Sequence, residues 1–142
     1  MRTVRQMLTG KPDVFSVRPD ETVYHALQTM AERNIGAVLV MSGGELDGIL
    51  SESDYARKGI LQGHSSKDTP VSELMTARVI SVDPGATVDQ CMALMTDKRV
   101  RHLPVIEDGR VVGVISIGDV VRALVEEQQF TIDALQTYIA TA

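Results

Sequence analysis

Val14-Phe15-Ser16-Val17-Arg18-Pro19 recurs as Val79-Ile80-Ser81-Val82-Asp83-Pro84, 65 residues further along the chain. The same offset pairs Thr22-Val23 with Thr87-Val88, Met30 with Met95, Val40 with Val105 and Gly48 with Gly113. It goes on to pair Ser51 with Ser116, Asp54 with Asp119 and Arg57 with Arg122, and no gap is needed from Val14 to Ile60. Chance does not hold one register across several elements, so the chain is an internal duplication. Upstream, Val4-Arg5-Gln6-Met7-Leu8-Thr9 matches Val71-Ser72-Glu73-Leu74-Met75-Thr76 at an offset of 67. Two additional residues within Gly10 to Asp13 absorb the difference.

Each repeat reads as strand–helix–strand–strand–helix. Phe15 to Val17 and Ile80 to Val82 are short strands ended by a proline, which has no N–H to donate. Thr22 and Thr87 are helix N-caps, and Gln90 completes a capping box with Thr87. Val23, Ala26, Leu27 and Met30, like Val88, Cys91, Met92 and Met95, then fall at helical spacing. A hairpin follows in each repeat, Ala37–Met41 with Leu46–Leu50 and Leu103–Ile106 with Val111–Ile115, around Gly-containing turns. A second helix starts near Ser51 and Ser116. The fold class is therefore α/β (α+β). The first repeat spans residues 4–60, a polar mobile surface loop 61–70, the second repeat 71–125 and an amphipathic C-terminal helix 126–142. One repeat is too small to bury both faces of its sheet, so the two should pack as a pseudo-twofold pair with two related clefts.

Composition narrows the function. The net charge of −5 argues against nucleic acid and anionic membrane as partners. No apolar run reaches the roughly 20 residues of a membrane helix, and the N-terminus lacks a secretory pattern. A single cysteine, Cys91, fits a reducing, cytoplasmic setting. It lies on an apolar helix face and reads as a structural thiol. His25, His64 and His102 have no metal-ligand spacing, so no metal is expected. No nucleophile elbow, Walker loop or dinucleotide glycine fingerprint is present, which leaves an enzyme on nucleotides the weakest reading.

The sharpest repeated signature closes each hairpin: Gly48-Ile-Leu-Ser51-Glu-Ser-Asp54 and Gly113-Val-Ile-Ser116-Ile-Gly-Asp119. Ser-x-x-Asp at a strand-to-helix junction is a capping arrangement worth about 1 kcal/mol. A hydroxyl and a carboxylate there can also bond the paired hydroxyls of a ribose, and a helix N-terminus favours phosphate nearby. The residues alone leave both roles open, and they are compatible.

These motifs resemble the CBS domain, and the chain from Val4 to Leu124 looks like a tandem CBS pair, or Bateman module. The resemblance rests on the threonine before each first strand, Val-x-Pro-x-x-Thr, the aliphatic hairpin with its central glycine and Gly-x-x-Ser-x-x-Asp. It implies a non-catalytic regulatory module for signal transduction that takes AMP, ADP, ATP, NAD or S-adenosylmethionine in the inter-repeat clefts. It also implies a flat homodimer of two pairs. Carried over, Asp54 and Asp119 would hold ribose hydroxyls, with Ser51 and Ser116 nearby. Thr9 to Lys11 and Thr76-Ala77 would lie along the adenine. Arg101-His102 would meet phosphate, where the first repeat has only Gly36-Ala37. The two sites should therefore differ. The dimer is expected on the helices after each hairpin, at Tyr55, Val120, Val121 and Leu124. With no effector domain in view, output should pass through an effector protein or the dimer itself. The alternative is a purely structural interaction module with empty clefts.

Overall fold

The computed structural model describes residues 2–11 and 14–141. The chain forms two compact units, Met1–Pro12 with Ser81–Ala142 and Asp13–Ile80. Their boundaries do not follow the sequence repeats. The short segment that opens each repeat is lodged in the unit built from the other.

In the Asp13–Ile80 unit, β1 (Ser16–Val17) pairs parallel with β2 (Ala37–Ser42), which pairs antiparallel with β3 (Glu45–Ser51). Helix α2 (Val23–Arg33) is started by Thr22, whose hydroxyl accepts from the His25 N–H. It is stopped by Asn34 in the left-handed conformation. Gly43 and Gly44 both have positive φ, as a two-residue hairpin turn of the right twist requires. β3 runs into α3 (Glu52–Asp54), which widens into a π-helical stretch over Tyr55–Ile60. The core joins Val17, Val23, Met30, Val38, Val40 and Leu50 to Val71 and Leu74 of α4 (Val71–Leu74).

The other unit repeats the plan with α5 (Val88–Lys98), β4 (His102–Glu107), β5 (Arg110–Ser116) and α6 (Ile117–Thr141). It takes α1 (Val4–Leu8) where the first takes α4. Three backbone bonds dock each short helix at equivalent places. Val71 N–H donates to Glu21, Ser72 to Pro19, and Val23 to Thr69. In the second unit Val4 donates to Ala86, Arg5 to Pro84, and Val88 to Arg2. Val4, Val88, Cys91, Met95, Leu103, Val105 and Ile115 are buried. Burial raises the Cys91 thiol above its ordinary pKa, consistent with an inert structural role.

Two expectations need correction. The strand expected at Ile80–Val82 is reduced to a single parallel bridge between Val82 and Val105. The reason is Pro104. At the equivalent place Leu39 donates its N–H to the Phe15 carbonyl at 3.2 Å, and proline has no N–H to give Ile80. The C-terminal helix is not separate from the second repeat, since α6 is continuous for 25 residues. No proline or glycine interrupts it after Gly118, and nothing near Glu126 supplies a stop signal. The loop at 61–70 lies largely at the surface and is held to α2 at one place. The Tyr24 N–H donates to the Ser66 carbonyl, and the Lys67 ammonium lies over the Tyr24 ring.

Candidate functional site

Each unit assembles one candidate site at the junction of its hairpin and the following helix. In the Asp13–Ile80 unit, the Ser51 hydroxyl accepts from the Asp54 N–H at 3.1 Å and donates to Asp54 Oδ2 at 3.0 Å. The Ser51 N–H donates to the same oxygen at 3.0 Å. This is a complete capping box, and Asp54 is buried within it. Its Oδ1 faces the Lys58 ammonium at 3.7 Å, and Lys58 also donates to the Thr76 hydroxyl at 3.4 Å. Thr76 comes from the segment that opens the second repeat. It lies on the outer edge of β3, exchanging two backbone hydrogen bonds with Ile49 at 2.8 and 3.0 Å. Gly48 makes the approach possible: a Cβ there would lie 2.7 Å from the Thr76 carbonyl oxygen. Ala77 follows, exposed.

The second unit has the same box. Ser116 N–H donates to Asp119 Oδ2 at 2.8 Å, and Asp119 N–H donates to the Ser116 hydroxyl at 3.2 Å. The surroundings differ. Lys11 Nζ donates to Asp119 Oδ2 and, at 2.8 Å, to the Val114 carbonyl. Arg122 approaches Oδ1 at 3.5 Å. Burial pushes the Asp119 carboxyl up. The Lys11 hydrogen bond, the Ser116 N–H and the Lys11 charge together pull harder, holding it below the ordinary carboxylate range. Thr9 is exposed, with its hydroxyl turned to the Arg5 carbonyl at 3.5 Å. His102 stands directly opposite Ser116 across the β4–β5 ladder, as Ala37 stands opposite Ser51. Arg101 is exposed, and its carbonyl accepts from the Ile117 N–H at the start of α6.

The residues singled out in the sequence fall into two sets by unit, and of them Thr76, through Lys58, and Lys11 meet the aspartates. Thr76 and Ala77 belong to the unit of Ser51 and Asp54. Thr9, Lys11, Arg101 and His102 belong to the unit of Ser116 and Asp119. Sequence reasoning missed the roles of Lys58 and Arg122 as carboxylate partners. Their spacing from the aspartates, i,i+4 and i,i+3, carried that signal. Among the described residues no three His, Cys, Asp or Glu side chains gather as a metal site. No helix among them is long and apolar enough to cross a membrane.

A duplicated α/β pair with a Ser-x-x-Asp junction in each half is a regulatory module of the Bateman type. The chain belongs to the CBS-domain family: the CBS domain model matches twice, at residues 4–59 and 71–126. It is similar to the solved structure of a protein with CBS domains from Burkholderia ambifaria MC40-6. That similarity is 50% identity with a TM-score of 0.86, over 92% of this chain and 99% of that one. It is 48% identical over 125 residues to "CBS domain-containing protein CBSX3, mitochondrial" of Arabidopsis thaliana. There it covers 84% of this chain and 61% of the relative's own length. The CBS domain pair of protein MJ0100, solved with 5′-methylthioadenosine and S-adenosyl-L-methionine, is 25% identical with a TM-score of 0.78. That match covers 89% of this chain and 98% of that one.

Proposed function

We propose that this CBS pair is a sensor for adenosine-containing ligands, with one site in each unit, and that the Ser116–Asp119 site favours ligands that carry phosphate. The observation that supports this reading is the meeting of Lys11 with Asp119, residues 108 apart in the chain. A carboxylate suited to ribose hydroxyls and an ammonium suited to phosphate stand together at a helix start, beside the His102 strand. On binding, ribose would take over Asp119, and the released Lys11 would join Arg101 in meeting the phosphate. The adenosyl ligands named for MJ0100 support the ligand class. AMP, ADP, ATP, NAD and S-adenosylmethionine all fit it. Output would pass through self-association of the module or an effector protein.

A second reading has its own support. Both Ser-x-x-Asp motifs are complete capping boxes that satisfy their own polar groups, as a structural interaction module would need. Calorimetric titration with AMP and adenosine separates the two readings. Sensing predicts that AMP binds more tightly than adenosine. Arg101→Ala should then weaken AMP by about 1.5–3 kcal/mol and leave adenosine almost unchanged. Asp119→Ala should weaken both ligands. Equal losses for the two ligands in Arg101→Ala would make Arg101 a support of the fold. Absence of heat with an adenosyl panel would favour the structural module.

A further inference from the structure

The first turns of α6 pack inward through Val120 and Ala123, which are buried in their own unit. Val120 is thus unavailable to the dimer face expected from sequence. The next flank of the helix is bare. Val121, Val125, Ile132, Leu135 and Ile139 are 45–72% exposed, and with Gln128 they recur at alternating intervals of four and three residues. That is a heptad seam about 27 Å long at 1.5 Å per residue. Val125, Ile132 and Ile139 occupy the a positions and are all β-branched. Val121, Gln128 and Leu135 occupy d. The flanking e and g positions are Arg122 and Leu124 in the first turns, then Gln129, Thr131, Gln136 and Tyr138, and of these only Arg122 is charged. The acidic residues of this stretch, Glu126, Glu127 and Asp133, lie off the seam, and the first two engage Arg2.

We propose that this seam pairs with the same seam of a second copy, as a parallel, in-register, two-stranded coiled coil. The proposal rests on the self-association put forward above and says where the copies meet. β-branched residues at all three a positions, with Leu135 at one d position, select two strands within a parallel coiled coil. Register places Gln128 against its own counterpart, where each amide can donate and accept. Uncharged flanks from Gln129 to Tyr138 let a chain of net charge −5 meet its copy without repulsion along that part of the seam. The helix is already anchored at Val120 and Ala123, so pairing does not have to nucleate it.

The test measures mass by light scattering at micromolar concentration, on the full chain and on variants of exposed residues. Wild type should show two copies. Ile132→Glu with Leu135→Glu should weaken association by at least about 100-fold, since it places charge in a seam that must dry. Phe130→Glu, off the seam at position f, should leave the mass unchanged. Val125→Cys and Ile139→Cys, made singly, should each form a disulfide-linked dimer on mild oxidation, and the buried Cys91 does not compete. An antiparallel pair cannot set both positions opposite themselves, so failure of either crosslink overturns the parallel register. Wild type at one copy overturns the seam and self-association together. A wild-type dimer that survives the double glutamate variant overturns the seam alone and leaves a dimer built elsewhere.

Discussion

The outer edge of the second hairpin strand is finished in two ways. In the Asp13–Ile80 unit, Ile49 on β3 is sealed by the two backbone hydrogen bonds it exchanges with Thr76. In the other unit the equivalent residue on β5, Val114, gives its carbonyl to the ammonium of Lys11. The segment that opens the first repeat is two residues longer, and at the offset of 67 the lysine it carries aligns with Arg78 in the second. Duplication copied the capping boxes, the hairpin turns and the docking bonds of α1 and α4. The divergence lies in what covers the strand edge beside the aspartate. Backbone pairing is short-range and rigid, whereas a lysine is a flexible charge that a ligand can exchange. One strand edge is closed by backbone pairing and the other by a lysine ammonium.

The largest expected effect of the asymmetry concerns Pro104. Leu39→Pro would impose on the Asp13–Ile80 unit what the other already tolerates. It removes a buried leucine and the hydrogen bond to Phe15, and should cost about 2–5 kcal/mol in urea unfolding. Pro104→Leu restores the missing donor for the Ile80 carbonyl, and should change stability by less than about 1.5 kcal/mol. Equal costs for the two exchanges would mean that the first strand does not depend on that bond.

A smaller effect separates Gly48 from Gly113. A Cβ on Gly48 meets the fixed Thr76 carbonyl, so Gly48→Ala should cost about 1–3 kcal/mol. A Cβ on Gly113 meets the end of the Leu8 side chain, 2.5 Å from Cδ2, and that leucine can turn aside. Gly113→Ala should therefore cost about 1 kcal/mol or less. Thermal midpoints of the two variants give the order, and a reversed order would refute the rigid-against-flexible distinction.

The smallest effect is electrostatic. Asp119 is held below its ordinary value of 3.8. Its contribution to stability is complete above that value and is lost as pH falls through the lower folded-state value. Asp119→Asn should then flatten the loss of stability below about pH 4. Urea midpoints measured across that range check it, and an unchanged slope would remove the Lys11 pairing as a source of stability.

Much of this was legible because it is local or repeated. Thr22, Thr87, Ser51 and Ser116 announce helix starts by chemistry that acts over three residues. The fixed offset of 65 carried the reading from one repeat to the other. Two features escaped because they are not local. The lodging of Val4–Leu8 against Pro84–Val88 depends on tertiary packing, and no periodicity shows it. The meeting of Lys11 and Asp119 follows from that lodging. Pro104 was different: it stood in plain view at the position of Leu39, and comparing donors between the repeats would have shown the lost strand. The expected break near Glu126 came from the edge of the repeat, which the continuous helical pattern of α6 ignores.

The exchange of opening segments also has a consequence for the chain as it is made. The Asp13–Ile80 unit is one unbroken stretch, so every partner it needs has been synthesised once Ile80 is added. Residues 2–11 emerge earlier, yet the groups they bond, Pro84, Ala86, Val114 and Asp119, come last. The Lys11–Asp119 ion pair and the docking bonds of α1 therefore cannot close until the far end of the chain has been made, which makes them long-range contacts with a loop-closure cost.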